Sequence, residues 1–129
     1  AHWDLLPTVC ELAKASTPNN VDGISYVPTL LGKISEQTPH QYLYWEFTER
    51  GGKQAVRMGQ WKGVREDIFK SPKAPLQLYD LSKDIGEEND IAKRHPEKVE
   101  QLEDLLKEAH VESETFPLFN VANRNKKKK

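Results

Sequence analysis

The sequence predicts an α+β fold: an antiparallel sheet of about four strands with a C-terminal helix packed on one face, preceded by two short helices. Three observations predict it. Between Tyr42 and Leu81 apolar residues follow a period of two, and from Pro96 onward they follow the spacing of a helix. The period-two stretch is also cut by short turn signals, which favour antiparallel pairing over crossovers. With 129 residues the chain suits one domain of ordinary size, not two that each bury a core.

The first helix rests on Leu5, Val9, Leu12 and Ala13 at i, i+4, i+7 and i+8, with Asp4 placed to accept hydrogen bonds from free N–H groups and Pro7 tolerated in the first turn. A helix this apolar at the opening of a chain implies further polypeptide upstream. Ser16 to Asn20 form a polar loop and Asp22-Gly23 a turn. A second helix of two turns at most follows, with Ser25 as N-cap, Pro28 in its first turn and Gly32 as its stop.

The first strand spans Tyr42 to Phe47, with Leu43, Trp45 and Phe47 on one face and Tyr42, Tyr44 and Glu46 on the other. Gly51-Gly52 turns it into a second strand, Gln54 to Met58, which makes a hairpin. Gly59-Gln60 leads to a third strand, Trp61 to Arg65, and a loop with Pro72 and Pro75 separates it from a fourth, Leu76 to Leu81. In the final helix Val99, Leu102, Leu105, Leu106 and Ala109 form one stripe, and Pro96 occupies the first helical position. That helix covers one face of the sheet. Nothing evident covers the other, which fits a sheet with one dry face and one partly wet or partner-covered face.

Charge and chemistry exclude several functions. Arg124 and Lys126 to Lys129 hold five of the 19 basic residues, which leaves 14 against 20 acidic ones in the rest of the chain. A body this acidic repels a phosphate backbone, so nucleic acid is excluded as the expected partner. The basic stretch at 120–129 is expected to be a flexible tail. No apolar run reaches membrane-spanning length, and no signal-peptide pattern opens the chain. Asp80, Ser82 and Asp84 mimic the opening of a calcium loop, but Ile85 stands where glycine is required and Ile91 where the bidentate acid belongs. His2, His40, His95 and His110 lack metal-site spacing, and Cys10, the single cysteine, reads as a small apolar helix residue. Asp80, Asp84, Gly86 and Asn89 are better suited to capping and turning the chain. Trp45, Trp61 and Tyr79 read as cross-strand packing before they read as a sugar platform, and Arg57 beside Trp61 as a prop within the sheet.

One further pattern carries a resemblance. Asp4-Leu5-Leu6-Pro7-Thr8, Val21-Asp22-Gly23-Ile24-Ser25 with Pro28, Leu30, Leu31 and Gly32, Tyr44-Trp45-Glu46-Phe47, Ala55 to Lys62, and Leu78 to Asp84 with Gly86, Glu87 and Asn89 resemble, in order and spacing, the C-terminal end of the arylsulfatase family. The resemblance extends over residues 2–119, including Phe116 to Phe119. It implies that residues 1–32 are the last helices of a catalytic domain and 33–119 the C-terminal sulfatase subdomain. It also implies that the full-length parent hydrolyses sulfate esters with a formylglycine and a calcium ion, both held upstream of Ala1. The family's Cys-x-Pro-Ser-Arg motif is not met at Cys10, which Glu11, Leu12, Ala13 and Lys14 follow. This chain is therefore expected to be catalytically incomplete, with no cofactor of its own, no catalytic residue and no metal ligand.

The expected partner is the missing N-terminal catalytic domain of the same protein, with self-association of the isolated chain, and sulfated carbohydrate in the full-length enzyme. Export to periplasm, lysosome or medium is what the resemblance implies for the parent. Two other readings remain open at this level: a freestanding glycan- or protein-binding module, and a fragment of a related phosphoester hydrolase. The candidate substrate contacts are Glu49, Arg50 and Lys53, because the hairpin tip is polar and mixes both charge signs on a two-stranded support. An ordinary solvated turn is the competing reading of that tip.

Overall fold

The structure, a computed structural model, describes residues 1–119; the basic stretch 120–129 lies outside the described residues. Contacts divide the chain into two compact units, one spanning Ala1–Gln41 and the other beginning at Tyr42.

The first unit is built on buried hydrogen bonds more than on an apolar core. A 3-10 turn, His2–Asp4, runs into α1, Leu5–Leu12, and a short α2 covers Val27–Leu30. Asp4 does not cap α1 with its side chain. Its buried carboxylate instead accepts the Ile24 N–H at 2.9 Å and lies 2.8 Å from His40 Nε2, which ties both ends of the unit together. Thr8, also buried, donates its hydroxyl to the Asp4 carbonyl and accepts the Tyr26 N–H. Gly23 admits this arrangement, since a Cβ there would lie 2.2 Å from the Trp3 carbonyl oxygen. Ser25 accepts the Val27 N–H at the start of α2, and Gly32, at a φ of +73°, ends the helix in the left-handed conformation expected of a C-terminal glycine. The stripe expected to define α1, Leu5, Val9, Leu12 and Ala13, faces outward, and Pro7 and Thr8 are its buried residues.

Burial alone would raise the Asp4 carboxyl, but hydrogen bonds to it, those of the Ile24 N–H and His40 among them, outweigh that and hold the group below its ordinary 3.8. A depressed carboxylate contributes stability that is present above its ordinary value and is lost as pH falls through the folded one. Asp4→Ala should cost the chain about 1–3 kcal/mol by leaving the Ile24 N–H and His40 without their acceptor. Hydrogen exchange at the Ile24 amide reads this directly: faster exchange in the variant is the expected result, and unchanged exchange would show that the carboxylate does not hold the loop.

The second unit is a four-stranded meander in the order β1-β2-β3-β4, every neighbour antiparallel, with β1 at Leu43–Phe47, β2 at Lys53–Met58, β3 at Trp61–Arg65 and β4 at Gln77–Asp80. Helix α3, Pro96–Ala109, packs on one face. The architecture is α+β, with four antiparallel strands, a packed C-terminal helix and short N-terminal helices. The register pairs Tyr44 with Val56 and Val56 with Gly63, and Gly63 in turn with Leu78. These positions, with Leu76 before β4, receive Leu102 and Leu106 from α3 to form the core. Gly63 is the position that lets the helix approach: a Cβ there would sit 2.9 Å from Leu76 Cδ2 and 3.2 Å from Leu102 Cδ1.

Tyr44 of β1 and Tyr42 just before it pack against the core, while Trp45 and Phe47 are exposed at 38% and 48%. Trp61 shares the helix-covered face and tilts against the His95 ring at 5.3 Å. Trp45 therefore lies on the face opposite Trp61, which dissolves the three-aromatic platform. Arg57 also faces away from Trp61 by register, and its Nε donates to the Gly59 carbonyl instead. Between β4 and α3 the expected turn chemistry is present. Asp80 accepts the Ser82 N–H and hydroxyl, and Asp84 accepts the N–H groups of Glu88 and Asn89.

Candidate functional site

The β1–β2 hairpin presents its tip as a constrained platform. Phe47 pairs with Lys53, so residues 48–52 form the connection, closed by the Gly52 N–H donating to the Glu49 carbonyl at 3.0 Å. Three consecutive residues adopt positive φ: Arg50 at 46°, Gly51 at 97° and Gly52 at 75°. For the glycines this costs little, whereas an arginine in the left-handed region persists only where its surroundings dictate it.

The surroundings are the loop after β3. Ile68 N–H donates to the Gly52 carbonyl at 3.1 Å and Phe69 N–H to the Gly51 carbonyl at 2.8 Å. Ile68 is fully buried, which anchors the loop, and Asp67 itself sits at a φ of 53°. The dihedral favours glycine at both positions, and contact adds to it chiefly at Gly52, since the Asp67 carboxylate beside Gly51 is free to swing aside. A Cβ on Gly51 would meet Asp67 Oδ1 at 2.8 Å, and one on Gly52 would meet the Phe69 ring at 2.7 Å. The tip is therefore clamped from below rather than free in solvent.

Of the candidate contacts, Glu49 and Arg50 project from the exposed tip, and among the described residues neither side chain makes a hydrogen bond or ion pair. Lys53 is placed differently. Its ammonium is paired with the Glu66 carboxylate, and it lines a shallow groove of about 260 Å³ on the face of the sheet opposite α3. Trp45, Phe47, Ala55 and Val64 form the apolar part of that groove, and Lys62, paired with Glu87 at 2.5 Å, closes its other side. The structure thus leaves Arg50 as the unpaired cation of the three and commits Lys53 to an ion pair.

Glu66 and the clamp at 67–69 had no counterpart in the sequence reading, and Glu87 figured there only in the family pattern, without a place in the site. Glu66 lies in a polar stretch with no distinguishing neighbour, and the clamp depends on a backbone meeting that residue types do not announce.

A second polar cluster joins the helix-covered face to the end of α3. Gln54 Nε2 donates to the Tyr44 hydroxyl at 2.8 Å, the Tyr44 hydroxyl donates to Glu46 Oε1, and His110 Nδ1 lies 2.5 Å from the same oxygen. His110 Nε2 lies 3.3 Å from Glu112, and the Phe119 ring stands edge-on to the imidazole at 4.8 Å. Burial alone would lower the His110 imidazole, but Glu46 and Glu112 together hold it above its ordinary 6.5. Burial, with the Glu46 carboxylate, also raises the Tyr44 hydroxyl above its ordinary 10. A cavity of about 230 Å³ adjoins this cluster, lined by Gln54, Arg65, Leu106, Lys107, His110 and Phe119. Arg65 pairs with Glu103 and Lys107 with Asp104, whereas the buried Gln54 Oε1 has no hydrogen-bond partner among the described residues.

Among the described residues no three His, Cys, Asp or Glu side chains are grouped so as to hold a metal ion. Cys10 lacks the sequence context that formylglycine formation needs. The described residues thus fit neither calcium nor a formylglycine. No helix among the described residues is long and apolar enough to cross a membrane.

The second unit is thus a meander sheet backed by one helix, with a clamped polar hairpin. Residues 1–114 match the family model described as N-sulphoglucosamine sulphohydrolase, C-terminal, and the chain belongs to that sulfatase C-terminal family. It is 31% identical to arylsulfatase K of Gallus gallus over 81% of this chain and 21% of that protein. It is 33% identical to an N-acetylgalactosamine-6-O-sulfatase of Bacteroides thetaiotaomicron over 80% of this chain and 22% of that protein. Among solved structures, a 2-O GAG sulfatase superposes with a TM-score of 0.68 at 25% identity, covering 97% of this chain and 25% of that one. The chain spans about a fifth of the length of these curated relatives.

Proposed function

We propose that this chain is the C-terminal portion of a longer sulfatase whose full-length form hydrolyses the sulfate ester of a saccharide to the alcohol and free sulfate, and that the chain alone does not turn over substrate. The observation that carries this is the match of nearly the whole chain to about a fifth of each sulfatase relative, in a family described as C-terminal. In this reading residues 1–32 close the catalytic domain, 33–119 form the accessory subdomain and 120–129 a basic flexible tail. The nucleophile and calcium belong to the preceding portion, and the parent is exported. The saccharide class follows the relatives named above, two of which act by their printed names on sulfated sugars.

The role of this chain is to support the substrate cleft, with Glu49, Arg50 and Lys53 at its rim. The pairing of Lys53 with Glu66 gives Arg50 the larger share of any contact with a sulfated sugar. In the full-length parent, Arg50→Ala together with Lys53→Ala should raise KM for a sulfated saccharide about tenfold, the ~1–2 kcal/mol of a charge-assisted contact, with most of the effect from Arg50. A small aryl sulfate does not extend to the tip, so kcat on it should stay unchanged. Unchanged kinetics on both substrates would return the tip to a solvated turn, and equal loss of kcat on both would make it a prop for the catalytic domain. Hydrolysis of a phosphoester but no sulfate ester by the parent would overturn the sulfatase reading itself.

A further inference from the structure

The loop that returns from β3 treats the two cations of the hairpin tip in opposite ways. Gln54 stands opposite Arg65 in the register, so Lys53 and Glu66 are the next pair across the two strands, and both line the groove on the face away from α3. The Lys53 ammonium meets the Glu66 carboxylate there, with both side chains close to half-exposed. An exposed pair of this kind adds little to stability. Its effect is on charge, because a carboxylate beside the ammonium repels any other anion that approaches it. One residue further on, Asp67 pairs with Lys70 at 3.2 Å, so that carboxylate too is met within the loop. Arg50 is left open. Among the described residues no acid pairs with it, and the N–H groups of Phe69 and Ile68 hold the Gly51 and Gly52 carbonyls that follow it. An arginine carried on a fixed backbone gives up less freedom when it meets an anion. Its neighbour in sequence, Glu49, is an acid at the same tip and opposes a second one.

We propose that the loop at 66–69 sets the specificity of the tip, with Glu66 as the determining residue: Arg50 is presented to one sulfate group while Lys53 is withheld, so a saccharide that carries a second sulfate beside the first gains little from it. This rests on the reading of the tip as a saccharide contact in a sulfatase. Discrimination then has two parts, an attraction at Arg50 for the singly sulfated chain and a repulsion at Glu66 and Glu49 against the more heavily sulfated one. The register makes the second part a fixed feature of the sheet, since Glu66 directly follows the last residue of β3 and Lys53 is the first residue of β2.

Surface plasmon resonance of the full-length protein over immobilised chondroitin tetrasaccharides, one preparation with a single sulfate per disaccharide and one with two, tests this at fixed ionic strength. Glu66→Gln should tighten binding of the doubly sulfated chain by about fivefold or more and shift that of the singly sulfated chain by less than about twofold, and Lys53→Ala added to Glu66→Gln should abolish the gain. The half-exposed position of Glu66 makes the glutamine variant a mild change for folding. No gain in Glu66→Gln overturns the proposal, as does an equal gain on both chains or a gain that survives the loss of Lys53, either of which marks a general loss of negative charge. Arg50→Ala separates this failure from failure of the underlying reading. Weaker binding in Arg50→Ala with no gain in Glu66→Gln removes the specificity role alone. Unchanged affinities in Arg50→Ala, or no binding of either chain, remove the tip from the saccharide path and the proposal with it. Sulfate release is followed on the same chains, and the expected binding pattern without hydrolysis of any sulfate ester removes the sulfatase reading while leaving the specificity of the tip.

Discussion

Truncating Leu102 to alanine should lower the unfolding free energy of the chain by about 2–5 kcal/mol, a large part of the ~5–15 kcal/mol that separates a domain of this size from its unfolded state. Leu102 is fully buried, and it lies between α3 and the centre of the sheet, against Val56, Leu76 and Leu78. The position it faces is Gly63, which has no side chain to move into the space left behind. A cavity at this point therefore stays open, and an unrelaxed cavity adds its own cost to the lost transfer energy. Leu105, half-buried at the edge of the same helix, is the internal control, and Leu105→Ala should cost clearly less. Urea unfolding followed by circular dichroism gives both values on one scale. Equal costs for the two truncations would mean that the contact of α3 with the sheet centre is not what holds the second unit together.

The strands, their order and the final helix were legible because each is set by local pattern: Tyr42 to Leu81 breaks into short runs bounded by turn residues, and Leu102 and Leu106 recur one turn apart. Which face of the sheet would be covered was not legible. Leu43, Trp45 and Phe47 are the more apolar set on β1, yet α3 lies over Tyr42, Tyr44 and Glu46. The Glu46 carboxylate can turn inward because His110, 64 residues along, supplies a partner for it, and no local window contains that pairing. Asp4 shows the same limit. Its position before α1 fits a cap, but tertiary partners at Ile24 and His40 claim the carboxylate first. At the hairpin, Gly51-Gly52 announced the turn and the charges around it announced a candidate rim. Neither announced that Asp67 to Phe69 would grip the tip or that Glu66 would take up Lys53, since both depend on the course of a loop that returns from β3.

Glu46→Gln should destabilise the chain by about 1.5–3 kcal/mol at pH 6 and by only about 0.5–1.5 kcal/mol at pH 9, the difference between a charge-assisted hydrogen bond and a neutral one. Glutamine keeps the shape and can still accept from the Tyr44 hydroxyl, so the substitution removes charge more than contact. His110 sets the direction of the pH dependence. Because its folded pKa is raised above the ordinary 6.5, its stabilising contribution is complete below that value and is lost as pH rises through the folded one. The other shifted groups leave this window clear. The Asp4 carboxyl is held low and loses its contribution only in acid, and the Tyr44 hydroxyl is held high and keeps its proton throughout. Glu112, at 3.3 Å from His110 Nε2, remains in the variant and retains part of the effect, while Arg65 and Lys107 line the adjoining cavity and oppose the imidazolium. Stability of the native chain should therefore fall between pH 6 and pH 9, and that of the Glu46→Gln variant should change less, so that the two profiles converge toward the alkaline end. Parallel profiles would show that Glu46 and His110 are joined by an uncharged hydrogen bond at both values, and the ion pair would then have no part in fixing the end of α3 to β1.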